Sequence, residues 1–374
     1  MAGGCPGGCR KERHPAIMMK TKVKPTPQRN AFAIGSIALL LLVLFSLRYF
    51  YLDTHGAPKE ITNYVTASTV LVEDKQAAAD TLVPMKNTYP ELSVPTYVNE
   101  QDGVYFLVDC YHNQIIYHDN LTDPLTDWSV LTNDMEKGHV IVSDGIVYLA
   151  DDTENNRVLV FEKVDDKFVE TQVFENIGNR PHYIQYEESS GTFYVWSSMS
   201  GELYCFQHTR TDSRMYLTEI RKIDSLDGVY VRSFTISGNS IYFVSGQSQI
   251  IQADLKTLEI KKTYPVPDAI AGMVQLLPVP GGYLITVSTD NTGDQSYATM
   301  IYCEKLSDLG ETDDTGKVVG KYDDVYSYFV GGGTPYYITR LGDTYYMTEH
   351  RIPGHSVWSF QFDNKQITNV QAVY

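Results

Sequence analysis

His139, in KGHVIV, and His182, in RPHYIQ, each stand at the entrance to an apolar run. Neutral imidazoles bind transition metals and exchange protons near neutral pH, so the pair, once brought together, could hold a divalent ion such as Zn or Ca or act as acid and base. Arg232 and Gln275 stand at the corresponding entrances further on, and Arg232 would serve such a site by stabilising an anion. Glu349, His350 and His355 lie elsewhere, near the C-terminus. Asp109, Asp151, Asp152 and Asp290 are carboxylates at the edges of loops, in no calcium-loop pattern. Arg157, Arg180, Tyr183 and Tyr230 are candidate ligand contacts. Arg157 has Asp151, Asp152 and Glu154 close by in sequence, so an ion pair within its own loop competes with ligand binding. Tyr183, Trp196, Tyr230, Tyr336 and Trp358 supply aromatic surface, and each is also a natural packing residue.

Other chemistries are excluded. SGNS (237–240) is no nucleophile elbow and VGGG (330–333) is no phosphate loop, because neither supplies the complete pattern. Asn120-Leu121-Thr122 forms a glycosylation sequon. Cys110, Cys205 and Cys303 are odd in number and sit in strand-like stretches, which predicts buried thiols rather than a disulfide framework.

The elements that must position these residues repeat. A strand, a Gly-containing turn, a second strand, a loop and a third strand recur in 96–117, 140–161, 183–206 and 233–254, and more loosely in 274–304 and 336–363. Tyr105, Tyr148, Tyr194 and Tyr242 mark the second strands at intervals of 43, 46 and 48 residues. Such a period fits a blade of four strands, and six units predict an all-β, six-bladed β-propeller over 93–374, with five or seven blades as the alternatives. One blade could be completed by the opposite terminus. Asp102-Gly103, Asp144-Gly145, Ser190-Gly191 and Gly342-Asp343 are the reversals between strands. Ile146, Tyr148, Leu149, Val158, Val160 and Phe161 are predicted to pack the second blade.

DGIVYLADDTENNRVLVF (144–161) resembles an NHL repeat: a Gly turn, a VY/AD strand and NNRV followed by an aromatic residue. DGVYFLVDCYHNQIIY (102–117) is a diverged second copy with His112-Asn113 in the loop and Gln114 where Arg is expected, and NRPHYI (179–184) is similar to a blade entrance. The resemblance is specific over 96–184. It implies six blades around an axial depression, and some similar propellers are lactonases or lyases that use axial metals. This chain lacks their full ligand set.

The N-terminus carries a different signal. Residues 31–47 form an uninterrupted apolar run that reaches a bilayer span if the helix continues to Leu52. Seven Lys/Arg and one acid precede it, which predicts a cytoplasmic N-terminus and a type II signal-anchor. A cleaved signal peptide is the competing reading, but no small-x-small site follows Leu47. Cys5 and Cys9, in GGCPGGC, are thiols or lipid-attachment sites on that side. Beyond residue 52 there are 22 basic and 45 acidic side chains, a net of −23 that repels nucleic acid. The expected organisation is a basic tail (1–30), a transmembrane helix in the lipid bilayer (31–52), a membrane-proximal stalk (53–92) with a short helix near KQAAADTLV, and the propeller. The expected function is a membrane-tethered extracytoplasmic module that binds or scaffolds a protein, peptide or glycan. The alternative is a metal-dependent hydrolase or lyase built on His139 and His182.

Overall fold

The structure is a computed structural model and describes residues 36–44, 46, 56–66, 68–289, 298–329, 333–350 and 356–374. It divides into two units, 1–54 and 55–374. In the first, residues 36–44 and 46 are helical. The remainder of the expected span, with Cys5 and Cys9, lies outside the described residues. Among the described residues no helix is long and apolar enough to cross a membrane.

The second unit is a six-bladed β-propeller. Blade 1 runs from the axis outward through Pro95–Gln101, Val104–Asp109, Gln114–His118 and Ser129–Thr132. Blade 2 is Ile141–Ser143, Val147–Asp152, Arg157–Val164 and Lys167–Phe174. Blade 3 is Pro181–Glu187, Thr192–Ser197, Glu202–Gln207 and Tyr216–Lys222. Blade 4 is Val231–Ser237, Ser240–Ser245, Gln249–Asp254 and Ile260–Pro265. Blade 5 is Gly272–Val279, Gly282–Thr289, Thr299–Cys303 and Asp323–Asp324. Blade 6 is Thr334–Leu341, Thr344–His350, Val357–Asp363 and Gln366–Ala372.

Each blade is sandwiched between two others, so its middle strands are buried on both faces and lose the usual in-out alternation. Val147–Asp152 and Thr192–Ser197 are buried at every position. Large rings fill the wedges between blades, as where Trp196 of blade 3 meets Phe243 of blade 4 at 4.4 Å between ring centroids. Tyr148, Leu149, Val158, Val160 and Phe161 are buried as predicted. Ile146 is not: it is half exposed in the turn, where its N–H donates to the Asp144 carboxylate. Cys110, Cys205 and Cys303 are buried free thiols, each pushed up to about 12 by burial.

The four main strands of every blade are contiguous in sequence, so no blade exchanges one of them between the two ends of the propeller. The C-terminal residue pins the seam instead. The Tyr374 hydroxyl donates to the Asp123 carbonyl of blade 1 at 2.6 Å and accepts the Trp128 indole N–H at 3.1 Å. Nearer the axis the Thr348 hydroxyl of blade 6 reaches the Thr96 carbonyl at 2.8 Å.

The segment expected as a stalk is packed on the propeller from Gly56 onward. Gly56 donates to Ser189 and Pro58 accepts from Arg210 on blade 3. Thr66 then bridges Leu217, and Val70–Leu71 add a fifth strand to blade 2. The helix Lys75–Thr81 follows, capped by Asp74 and bonded at its C-terminal end by Lys167. Met85–Lys86 finally add a fifth strand to blade 1. This strap passes blades 3, 2 and 1 in the reverse of chain order and pairs with edge strands that would otherwise carry unsatisfied backbone groups. Gly191 permits the contact: with φ +61° it sits so close to the strap that a Cβ would lie 2.2 Å from the Ala57 nitrogen.

Candidate functional site

The inner strands run parallel to the axis, and their N-terminal ends gather at one mouth. Three of them carry a one-residue register shift at equivalent places, around Thr96, His182 and Arg232. A bulge re-aims a side chain, and here the shifts spare those residues from the regular ladder. The mouth is a cavity of about 260 Å³ lined by Lys137, His139, Arg180, Tyr230, Arg232 and Tyr336, among others.

A structural repeat places its cations. Val94, Lys137 and Arg180 each stand two residues ahead of the axial position of their blade, at Thr96, His139 and His182. All three adopt the left-handed conformation, with φ of 59°, 56° and 66°. Such backbone costs free energy for a side-chain-bearing residue and needs fixing from outside. The preceding blade supplies the fixing in two cases. The Asn113 side-chain oxygen accepts the Lys137 N–H at 3.2 Å, and that of Asn156 accepts the Arg180 N–H at 2.7 Å. Both asparagines are themselves left-handed, in the loops noted as NHL-like.

His139 and His182 do meet. Their rings stack at 3.8 Å with 24° between planes. Asp151 holds the base of the first: its buried carboxylate accepts the N–H groups of His139 and Val140 and the Thr153 hydroxyl. Thr153 in turn lies 2.9 Å from His139 Nδ1. Gly138 makes the close approach possible, since a Cβ there would lie 2.6 Å from the Asp151 carbonyl oxygen. Nε2 of His139 makes no hydrogen bond among the described residues.

His182 is sealed below. Tyr337 donates its one hydroxyl hydrogen to the Arg232 carbonyl at 3.0 Å, so it accepts from His182 Nδ1, also at 3.0 Å. Nε2 then accepts from the Tyr230 hydroxyl at 2.9 Å. Burial, His139 and the guanidinium groups of Arg232 and Arg180 together hold the His182 imidazole well below its ordinary range, so it is neutral. Tyr97, Tyr183, Tyr336 and Tyr337 complete a plug of rings, with Tyr337 at 5.0 Å from Tyr183 and 4.6 Å from Tyr336. Burial raises the Tyr183 hydroxyl to about 12 and those of Tyr336 and Tyr337 well above their usual range.

This arrangement does not fit a metal bound by both histidines. A ligating lone pair lies in the plane of its ring and must point at an ion roughly 2.0–2.1 Å away. Stacked rings direct their lone pairs alongside one another, and both nitrogens of His182 already face hydroxyl groups. Among the described residues no group of three or more His, Cys, Asp or Glu side chains could hold a metal ion.

The other predicted residues separate. Arg232 and Tyr230 belong to the mouth, with the guanidinium 4.9 Å from the ring centroid, and Arg180 lies 5.8 Å from that ring on its other contact. Arg180 also pairs with Glu154 at 2.8 Å, both about a third exposed. Arg157 is elsewhere: its Nε donates to the buried Asp152 carboxylate at 2.7 Å and Nη2 to the Asp134 carbonyl, so it clamps its own blade. Asp109 is likewise structural, its buried carboxylate accepting from Ser93 and facing His112 and Gln114. Tyr183 belongs to the far side of the plug, where it accepts from the Gln275 amide at 3.2 Å, and both residues line the opposite mouth with Tyr97, Asn99 and Arg340. Trp196 and Trp358 are buried, and Glu349 is buried against Trp358 and Tyr326. Asp290 and His355 lie outside the described residues. Lys137, its ammonium 3.8 Å from the Tyr111 ring centroid, was missed by sequence reasoning. The signal was available in Lys137-Gly138-His139, which parallels Arg180-Pro181-His182.

These features define a six-bladed β-propeller with one polar, cation-lined axial mouth and a closed axis. No protein-family model matches the sequence, and no curated protein matches it. Solved propellers resemble it in fold. A putative 6-phosphogluconolactonase from Bacteroides uniformis is 12% identical over 78% of this chain and 88% of its own, with a TM-score of 0.52. Its counterpart from Bacteroides fragilis is 12% identical over 74% and 83%, also at 0.52. A catalytically inactive virginiamycin B lyase from Staphylococcus aureus, solved with quinupristin, is 13% identical over 75% and 99%, at 0.48.

Proposed function

We propose that this chain is a membrane-tethered extracytoplasmic propeller, NHL-like in its first blades, that binds a protein, peptide or glycan at the axial mouth. The tether reading rests on the apolar run 31–47 behind a basic tail and on the acidic remainder. The observation that carries the binding reading is the contrast between the two layers of the axis. Below, the His182 and tyrosine plug satisfies its polar groups internally. Above it, Lys137, Arg180, Tyr230 and Arg232 line a cavity open to solvent. A rigid base under an accessible polar rim suits recognition. The hydrolase or lyase reading has less support, because both nitrogens of His182 are committed to tyrosine hydroxyls and the stacked rings do not converge on one ion.

The test uses the full chain with a tag at each end. Protease added to intact cells should remove the C-terminal tag and spare the N-terminal one, and the reverse pattern or a soluble protein would overturn the tether. For binding, the detergent-solubilised chain is applied to peptide and glycan arrays beside a double variant, Arg180→Gln with Arg232→Gln. Signals lost in the variant support the mouth; an array pattern identical for the two proteins sinks it.

A further inference from the structure

Charge at the mouth runs against the rest of the molecule. The chain carries a net −16, yet Lys137, Arg180 and Arg232 line one cavity in which, among the described residues, Glu154 is the only carboxylate. Arg180 takes that carboxylate. Lys137 and Arg232 form no ion pair among the described residues, and their charges rest against the faces of Tyr111 and Tyr230 instead. Nε of Arg180 is buried without a hydrogen-bond partner. Two of these cations are held in left-handed backbone by asparagines of the preceding blades, so their placement is enforced by the fold rather than left to a flexible surface.

A second feature narrows the ligand. If Nδ1 of His139 donates to Thr153, whose hydroxyl passes its hydrogen on to Asp151, Nε2 is left as an acceptor at the mouth. The same cavity therefore offers donors for an oxyanion, an acceptor for a hydroxyl group and aromatic walls in Tyr230 and Tyr336. Its volume of about 260 Å³ lies just below the usual range of roughly 300–1,000 Å³ for small-molecule sites. That leaves room for about one ring.

We infer that the mouth binds a single acidic sugar residue, with its carboxylate on Arg180 and Arg232 and a hydroxyl on His139 Nε2. The inference rests on the binding reading above and specifies its ligand. Two sources share this chemistry, the free uronic acid and the terminal residue of an acidic glycan.

The test is titration calorimetry on the full chain in detergent with D-glucuronate, D-glucose and a hyaluronan tetrasaccharide. Glucuronate should bind at least about tenfold more tightly than glucose, and its affinity should fall as salt is raised. Arg232→Gln and Arg180→Gln should each weaken glucuronate about tenfold. His139→Phe should weaken both sugars alike, and Lys222→Gln on the outer strand of blade 3 should change nothing. Tetrasaccharide binding tighter than the monomer assigns the glycan end as the source, and the opposite order assigns the free acid. Glucose equal to glucuronate, arginine variants equal to the parent, or no heat with glucuronate at millimolar concentration would each overturn the inference. In any of these cases array signals that depend on Arg180 and Arg232 would keep the broader binding reading alive.

Discussion

Asn156 in blade 2 accepts the backbone N–H of Arg180 in blade 3 at 2.7 Å, and both residues are left-handed. A loop between the second and third strands of one blade thus sets the entrance of the next. The substitution Asn156→Gly keeps the backbone conformation and removes the acceptor, which should cost about 1 kcal/mol of stability. Asn156→Ala adds the left-handed penalty, for about 2 kcal/mol or more in total. Urea denaturation of the two variants checks the order, and equal costs would show that the backbone term is absent.

Arg157 and Arg180 bracket the difference between a clamp and a contact. Arg157 neutralises Asp152, a carboxylate with no exposure that also accepts from Glu136 and Asn155. Arg157→Ala leaves that charge unpaired in the interior and should cost about 3 kcal/mol. Arg180 shares a partly solvated ion pair with Glu154, and Arg180→Ala should cost under about 1 kcal/mol. Calorimetric melting of both variants decides it; a larger loss from the Arg180 change would reverse the two roles.

The strap makes a separate claim. Gly191→Ala forces a Cβ into the Ala57 backbone at a positive φ, and should cost more than about 1 kcal/mol. The loss should be local, with the first proteolytic cut moving to the segment around 56–66 while the blades stay protected. Uniform protease sensitivity across the chain would mean that the strap is integral to the blades rather than laid over them.

Much of this was legible in the sequence, for reasons that differ by element. The second strands announce themselves because burial on both faces demands a run of apolar residues, as in 147–150 and 193–196 within Val147–Asp152 and Thr192–Ser197. Several fourth strands do not. Ile260–Pro265 and Gln366–Ala372 lie at the rim with mostly exposed side chains, and Asp323–Asp324 is too short to carry a pattern. The strap was invisible as packing because backbone pairing, as between Val70 and Val173, needs no particular side chain. At the site, the meeting of His139 and His182 followed from their equivalent places in consecutive blades. Their stacking did not, since it depends on Thr153, Tyr337 and Tyr230, which come from three different blades or loops. Gln275 misled for a related reason: it is the fourth residue of Gly272–Val279, whereas Arg232 is the second of Val231–Ser237, so it stands deeper along the axis.

His208 of blade 3 and Asp144 of blade 2 meet at 2.5 Å, both almost fully buried, and they tie the two blades through a loop and a turn. Burial opposes charge on each. For His208 the hydrogen bond and charge of Asp144, with the Thr209 carbonyl and a further backbone bond at Asp212, outweigh it and raise the imidazole above its ordinary value. For Asp144 the His208 contact and the N–H groups of Val147 and Ile146 outweigh it and lower the carboxyl. Tyr186, the nearby phenol, is pushed up to about 12 by burial and by Asp144 and so stays neutral. The raised imidazole gives stability that is complete below the unfolded value near 6.5 and is lost as pH rises through the folded value. The lowered carboxyl gives stability present above its unfolded value near 3.8 and lost as pH falls through the folded one. The melting temperature should therefore decline as pH rises above the unfolded value near 6.5, and His208→Gln should flatten that decline while lowering stability at pH 6. A variant that keeps the full alkaline slope would place the titrating group elsewhere, because His208 supplies the proton whose loss the slope reports.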